Sequence, residues 1–239
     1  HLPSDGSAQV TDVTGATSCV SVWGPKARDL MQQVSEDDFS NDGFRYLAAK
    51  RVSIGDVQVL AVRISYVGEL GWELYVPSEN ALRVWDTLWD AGRPLGITAM
   101  GLGALDSLRL EKGYRLWGAE IQTEYNPYEA GMGFAVKRNK GDFLGREALV
   151  ESRKQGLSRK LCCMTLDDSS QVVMGSEPLM YGDSVVGFVT SADYGYSVRK
   201  SIAYGYLPVD LANEGTTVDI LYFGERYPAT VVREPLYDP

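Results

Sequence analysis

The 239-residue chain has one histidine, His1, at its first position, and that scarcity excludes more chemistry than any single residue adds. A serine-histidine-aspartate triad, a histidine metal site and a histidine general base are all closed to the interior of the fold. Cysteine is nearly as rare. Cys19, Cys162 and Cys163 are odd in number and two are sequence neighbours, which seldom close an unstrained bridge, so reduced thiols and no metal centre are expected. Cys162-Cys163 lies in an apolar run and reads as inert packing. No apolar run approaches the roughly 18 residues of a spanning helix, and no charged-apolar-small pattern opens the chain as a signal peptide would. Basic residues are outnumbered, 23 Lys and Arg against 32 Asp and Glu, for a net charge of -9 and a pI near 4.7. Nucleic acids and anionic membranes need clustered cations, so neither is an expected partner. The expected location is cytoplasmic, or the mitochondrial matrix for a eukaryotic chain whose presequence has been removed. Opening on histidine instead of methionine suggests that something upstream is missing, or a tag remnant.

What is present divides into two textures. With 44% hydrophobic residues the chain can bury a sizeable core in one large domain or two small ones. In the first half, Gly24-Pro25 predicts a helix start, with Ala27, Leu30, Met31 and Val34 on one apolar stripe. Ser78 predicts the cap of a second helix, whose Leu82, Trp85, Leu88 and Trp89 face the core before Gly92 ends it. A third helix is predicted over 102–112, with Leu102, Leu105 and Leu108 inward and Gly113 as the stop. Strands near 18–23, 57–66 and 72–76 complete a β-α-β-β-α order, which reads as a split β-α-β unit: an antiparallel sheet backed by helices. A connector over 142–155 ends in a short basic helix. Beyond about Arg159, short strands flank tight turns at Gly182-Asp183 and Gly224-Glu225, predicting a small antiparallel barrel or sandwich. The fold class is thus α+β, with domains at 1–155 and 156–239.

The chemistry concentrates in Arg63 to Pro77, R-I-S-Y-V-G-E-L-G-W-E-L-Y-V-P. Leu60, Val62, Ile64 and Tyr66 alternate with Arg63 and Ser65, the period of a half-buried strand. Gly68 and Gly71 break it, placing Glu69 at a turn and Glu73 on a second strand among apolar neighbours. A partly buried carboxylate needs donors around it. Two readings stand: Glu69 as a solvated turn residue with Glu73 in an ion pair, or both in a recognition site. Elsewhere the bland reading is preferred. Gly101-x-Gly103 and Gly131-x-Gly133 lack the third glycine and the preceding strand of a dinucleotide fingerprint. Asp106 and Glu111 flank Arg109 as ion pairs on a solvated helix face, and Trp85, Trp89 and Trp117 read as core.

Taken together, Val67-Gly68-Glu69-Leu70-Gly71-Trp72-Glu73-Leu74, Gly101-Leu-Gly103-Ala-Leu-Asp106-Ser-Leu-Arg109-Leu-Glu111, Glu129-Ala-Gly131-Met-Gly133, Phe143-Leu-Gly145-Arg146-Glu147-Ala-Leu149 and Lys200-Ser-Ile-Ala-Tyr-Gly205-Tyr resemble the glycine-cleavage T-protein (aminomethyltransferase) family. Glu111-Lys-Gly-Tyr-Arg-Leu-Trp-Gly118, Ser201 to Pro208 and Glu234 to Pro239 resemble its branch fused to flavin-dependent dehydrogenases and oxidases of dimethylglycine and sarcosine. The resemblance runs from near Asp12 to the end. It implies a tetrahydrofolate-dependent enzyme that transfers one-carbon units from N-methylated glycine, or glycine-derived aminomethyl groups, to the folate. It places Glu73, the second glutamate of the G-E-x-G-x-E motif, on the 2-amino and N3–H donors of the pterin. Tyr66 is implied as a pocket-lining hydroxyl, and Glu69 and Tyr194 as further cofactor-binding residues. Leu105 replaces the arginine that the family uses to hold the folate tail. The family's N-terminal segment, with its catalytic aspartate, is expected upstream of His1, so no catalytic residue is assigned within the chain. FAD is expected only on a missing domain or partner, and the expected partners are folate, a small amine, an upstream flavoprotein domain, a lipoyl carrier protein or a second copy of the chain. A non-catalytic binding or regulatory domain is the alternative.

Overall fold

In a computed structural model, which describes residues 2–238, the chain forms two compact units that divide between Met100 and Gly101. His1 lies outside the described residues. The division leaves the third helix and the connector with the C-terminal strands, upstream of the 155/156 boundary expected from the sequence.

The first unit is a four-stranded antiparallel sheet in the order β1-β4-β3-β2, with β1 Thr17–Trp23, β2 Ala49–Ile54, β3 Val57–Val62 and β4 Gly71–Pro77. Helices α1 (Ala27–Val34) and α2 (Ala81–Gly92) cover one face. Their Ala27, Leu30, Met31, Val34, Val84 and Leu88 pack on Val52, Ile54, Val57, Val59, Ala61, Trp72, Leu74 and Val76. Each fully buried side chain of this kind stabilises by about 1.5–3 kcal/mol, so this face orients the sheet.

Several expectations change in detail. Helix α1 begins at Ala27, two residues past Pro25. Ser78 opens a short 3-10 turn, Ser78–Asn80, with no side-chain cap, and its hydroxyl donates to the Gly15 carbonyl at 3.3 Å. The buried stripe of α2 is Val84, Leu88 and Gly92, while Leu82 and Trp85 are exposed. The Trp85 and Trp89 rings stack on one another with centroids 6.0 Å apart, which lets them shed water without reaching the core. Strand β3 stops at Val62, so Ile64 and Tyr66 lie in the following loop, and its buried row is Val57, Val59 and Ala61 instead of Leu60 and Val62. Strand β2, an edge strand opening on exposed Ala49-Lys50-Arg51, alternates only over Val52-Ser53-Ile54, which the sequence reading passed over.

The second unit contains α3 (Leu102–Lys112), α4 (Arg146–Gln155) and a closed six-stranded barrel. The barrel order is β10-β5-β8-β7-β6-β9, with β5 Arg159–Leu166, β6 Pro178–Tyr181, β7 Ser184–Gly195, β8 Lys200–Pro208, β9 Thr217–Tyr222 and β10 Glu225–Val232. Gly182-Asp183 joins β6 to β7 as expected. The β9–β10 turn falls one residue early, at Phe223-Gly224, both with positive φ (49° and 87°). Helix α3 ends where expected, Gly113 taking a left-handed C-cap at φ 77°. Its buried face differs, however: Leu102 is 81% exposed and Leu105 and Leu108 are only partly buried, while Ser107, Arg109 and Glu111 are buried with Leu110. Charged side chains enter the buried face because the barrel supplies polar partners, described below.

Candidate functional site

The face of the first sheet opposite α1 and α2 carries the polar candidates. Pairing sets Glu73 of β4 across from Ser21 of β1 and Val62 of β3, and Tyr75 across from Cys19 and Leu60. Because side chains alternate across a strand, Glu73 and Tyr75 share this face while Trp72, Leu74 and Val76 point into the core. Glu73 is partly buried and Tyr75 is 37% exposed. The Tyr75 hydroxyl donates to Glu73 Oε2 at 2.9 Å. That bond, with burial and the carboxylate's charge behind it, pushes the Tyr75 hydroxyl up to about 12. Burial and the same carboxylate raise the Cys19 thiol. No Lys or Arg pairs with Glu73 among the described residues, so of the two readings of this residue the ion-paired one does not hold. A carboxylate anchored through one oxygen, without a cation, keeps acceptor capacity for a ligand's donors.

Tyr66 and Glu69 are both partly buried in the loop 63–70 that leads into β4. The structure therefore gathers three of the four candidates into the eight residues ending at Glu73. Tyr194 belongs to the second unit, near the end of β7, where its carbonyl accepts from Ser107 Oγ at 2.7 Å and its ring meets Tyr196 edge-on at 5.1 Å. Tyr75 was missed by the sequence reading, although its position two residues after Glu73 on a strand is the signal that would have found it.

In the second unit the reading of Arg109 and Glu111 as solvated is overturned. Arg109 and Glu120, 2% and 1% exposed, pair at 3.0 Å. Arg109 also reaches Ser191 Oγ (2.9 Å) and Asp106 (3.3 Å), and Glu120 accepts from Thr190 Oγ1 (2.8 Å) and the Leu116 N–H (2.9 Å). Glu111 accepts the Ser197 and Val198 N–H groups at 2.6 and 3.1 Å, tying α3 to the β7–β8 turn. Trp117, read as core, is 72% exposed. Cys162 and Cys163 are buried and unbridged, and burial pushes their thiols up to about 11 and about 12, the state of packing residues, not nucleophiles.

Comparison with known proteins places this architecture. Residues 1–140 match the family model described as the GCVT N-terminal domain, and residues 159–238 match the glycine cleavage T-protein C-terminal barrel domain. Human mitochondrial dimethylglycine dehydrogenase is 40% identical over 229 residues, covering 95% of this chain and 26% of that protein. An aminomethyltransferase of Symbiobacterium thermophilum is 36% identical over 231 residues, covering 96% of this chain and 61% of that one. The crystal structure of the glycine cleavage system aminomethyltransferase T from Bartonella henselae superposes with a TM-score of 0.83 at 27% identity, over 93% of this chain and 60% of that one. The chain thus spans about a quarter of the dehydrogenase and about three fifths of the aminomethyltransferases. A helix-backed antiparallel sheet, a closed barrel and two consecutive model matches agree on one assignment: the chain belongs to the glycine cleavage T-protein family.

Proposed function

We propose that the chain is a tetrahydrofolate-binding part of an aminomethyltransferase-type enzyme, in which Glu73 accepts the 2-amino and N3–H donors of the pterin. The observation that carries this reading is the carboxylate itself: partly buried, held at one oxygen by Tyr75 and facing away from the helices without a cation. A pterin edge offers two parallel donors, and a carboxylate accepts both through charge-assisted bonds. The acceptor oxygens of Glu73 fit the cofactor's donors. Bound folate supplies the acceptor for a one-carbon unit, from N-methylated glycine or a glycine-derived aminomethyl group. The chain's own residues bind and orient: Glu73 fixes the edge of the ring, Tyr75 holds the carboxylate's rotamer, and Tyr66 and Glu69 line the approach from the preceding loop. Any flavin chemistry belongs to another domain or partner.

Titration calorimetry with tetrahydrofolate tests this. Replacing Glu73 by Gln substitutes an N–H₂ donor for one acceptor oxygen and should weaken binding by about 2–3 kcal/mol, roughly 30- to 150-fold. Absent binding by the parent, or an affinity for Glu73→Gln within about twofold of it, overturns the assignment.

A further inference from the structure

Two arginines of the first unit share one neutral acceptor. Arg28, on α1, donates from Nη2 to Asn41 Oδ1 at 2.8 Å, and Arg63, just past β3, donates from its own Nη2 to the same oxygen at 2.8 Å. Arg28 Nη1 reaches the Phe39 carbonyl at 2.6 Å and Arg63 Nη1 the Phe44 carbonyl at 2.7 Å. Both guanidinium carbons lie over the indole of fully buried Trp72, 5.7 and 5.8 Å from its centroid. The two positive groups are therefore held no further apart than twice one hydrogen bond, by neutral groups alone. Neither pairs with a carboxylate among the described residues. Asp38 senses Arg28 and Lys50, but its carboxyl is held down chiefly by Ser40. Burial and then Arg28 lower the Arg63 guanidinium, the direction that proximity of like charges requires.

We propose that Arg28 and Arg63 form a binding site for a small oxyanion group, a carboxylate or a phosphate. Each guanidinium carries five N–H donors in a rigid fork, more than these bonds use, and two forks converging on one point match the paired oxygens of such a group. The frame is fixed. Trp72 backs both groups, and the Arg63 backbone is pinned on both sides, its carbonyl accepting from the Leu47 N–H at 3.1 Å and its N–H donating to the Ala48 carbonyl at 2.9 Å. Leu47 takes a left-handed φ of 62° to make that contact, a strain that a merely connecting loop has no need to hold. Trp72 and Glu73 are consecutive on β4 and point to opposite faces, so this site is independent of the proposed folate face.

The test is thermal unfolding of the chain in inorganic phosphate and, separately, malonate, each against sodium chloride at equal ionic strength, for the parent and for Asn41→Asp. That substitution puts a carboxylate where the shared oxygen lies. Phosphate, malonate or both should raise the parent's Tm beyond chloride, and which of them acts identifies the group. Asn41→Asp should unfold at a higher temperature in chloride alone and lose at least about tenfold in apparent affinity for the anion, by the linkage of binding to stability. In ¹H–¹⁵N spectra the Leu47 amide and the Trp72 indole N–H should shift with the anion. Equal Tm in phosphate, malonate and chloride, or an anion response unchanged in Asn41→Asp, overturns the proposal.

Discussion

Single residues here act through what sits beside them. Glu73 and Tyr75 share a face because they are two apart on a strand, and the hydroxyl's position at 2.9 Å makes the pair a preformed acceptor. The thiols are the counter-example. Burial raises Cys162 and Cys163 to about 11 and about 12. A raised folded-state value means that their contribution to stability is complete below the ordinary thiol range near pH 8.5 and is lost as pH climbs through those values. At pH 8 a thiol reagent should therefore label exposed Cys19 in the folded protein and the other two only after unfolding. Rapid native labelling of all three would contradict the burial. The place of Glu73 on a strand, partly buried, was legible because Trp72 to Val76 keep a strand's alternation. Arg109 was not, because its partners Glu120 and Ser191 lie 11 and 82 residues on, beyond any local pattern.

Elements were legible where the chain marks its own ends. Gly101 and Gly113 bracket α3, and α3 runs between them. The inward face was misread because leucines at 102, 105 and 108 follow helical spacing, yet the barrel offers that helix the Ser191 hydroxyl, the Tyr194 carbonyl and the Ser197 and Val198 N–H groups beside the apolar patch that takes Leu110. The result is a buried ion pair. Such pairs are costly to break from one side, since the partner is left charged and dry. Arg109→Met should consequently cost about 3–5 kcal/mol in urea unfolding, and the double variant Arg109→Met, Glu120→Leu should recover part of it. A loss under about 1 kcal/mol for the single variant would show that Glu120 finds other compensation. Strand β2 escaped notice for the opposite reason: at the sheet edge its inward row holds only Val52 and Ile54, with exposed Lys50 in third place, too short an alternation to mark a strand.

At the scale of the whole molecule, the C-terminal strands were the most legible part, since short strands joined by tight turns announce a small antiparallel barrel or sandwich, though not which of the two. What closes it is less visible. A Cβ on Gly187 of β7 would meet the Tyr206 carbonyl oxygen of β8, and one on Gly205 would come within 2.7 Å of the Phe188 carbonyl. Backbone cannot yield there as a side chain does. Gly187→Ala should destabilise the second unit by about 3 kcal/mol in urea unfolding, the upper end for overpacking; a neutral substitution would mean that the strands are less closely apposed. The division between Met100 and Gly101 was not marked by composition, because α3 looks in sequence like the helices before it and differs only in the polar face that it gives the barrel. The family assignment gathers these features around one claim, that the carboxylate of Glu73 is a pterin acceptor. A crystal structure of the chain with tetrahydrofolate measures it directly. The account predicts the pterin 2-amino and N3 nitrogens about 2.7–2.9 Å from the Glu73 carboxylate, on the sheet face that carries Tyr75 and Cys19; a pterin bound elsewhere, with Glu73 still joined only to Tyr75, would contradict it.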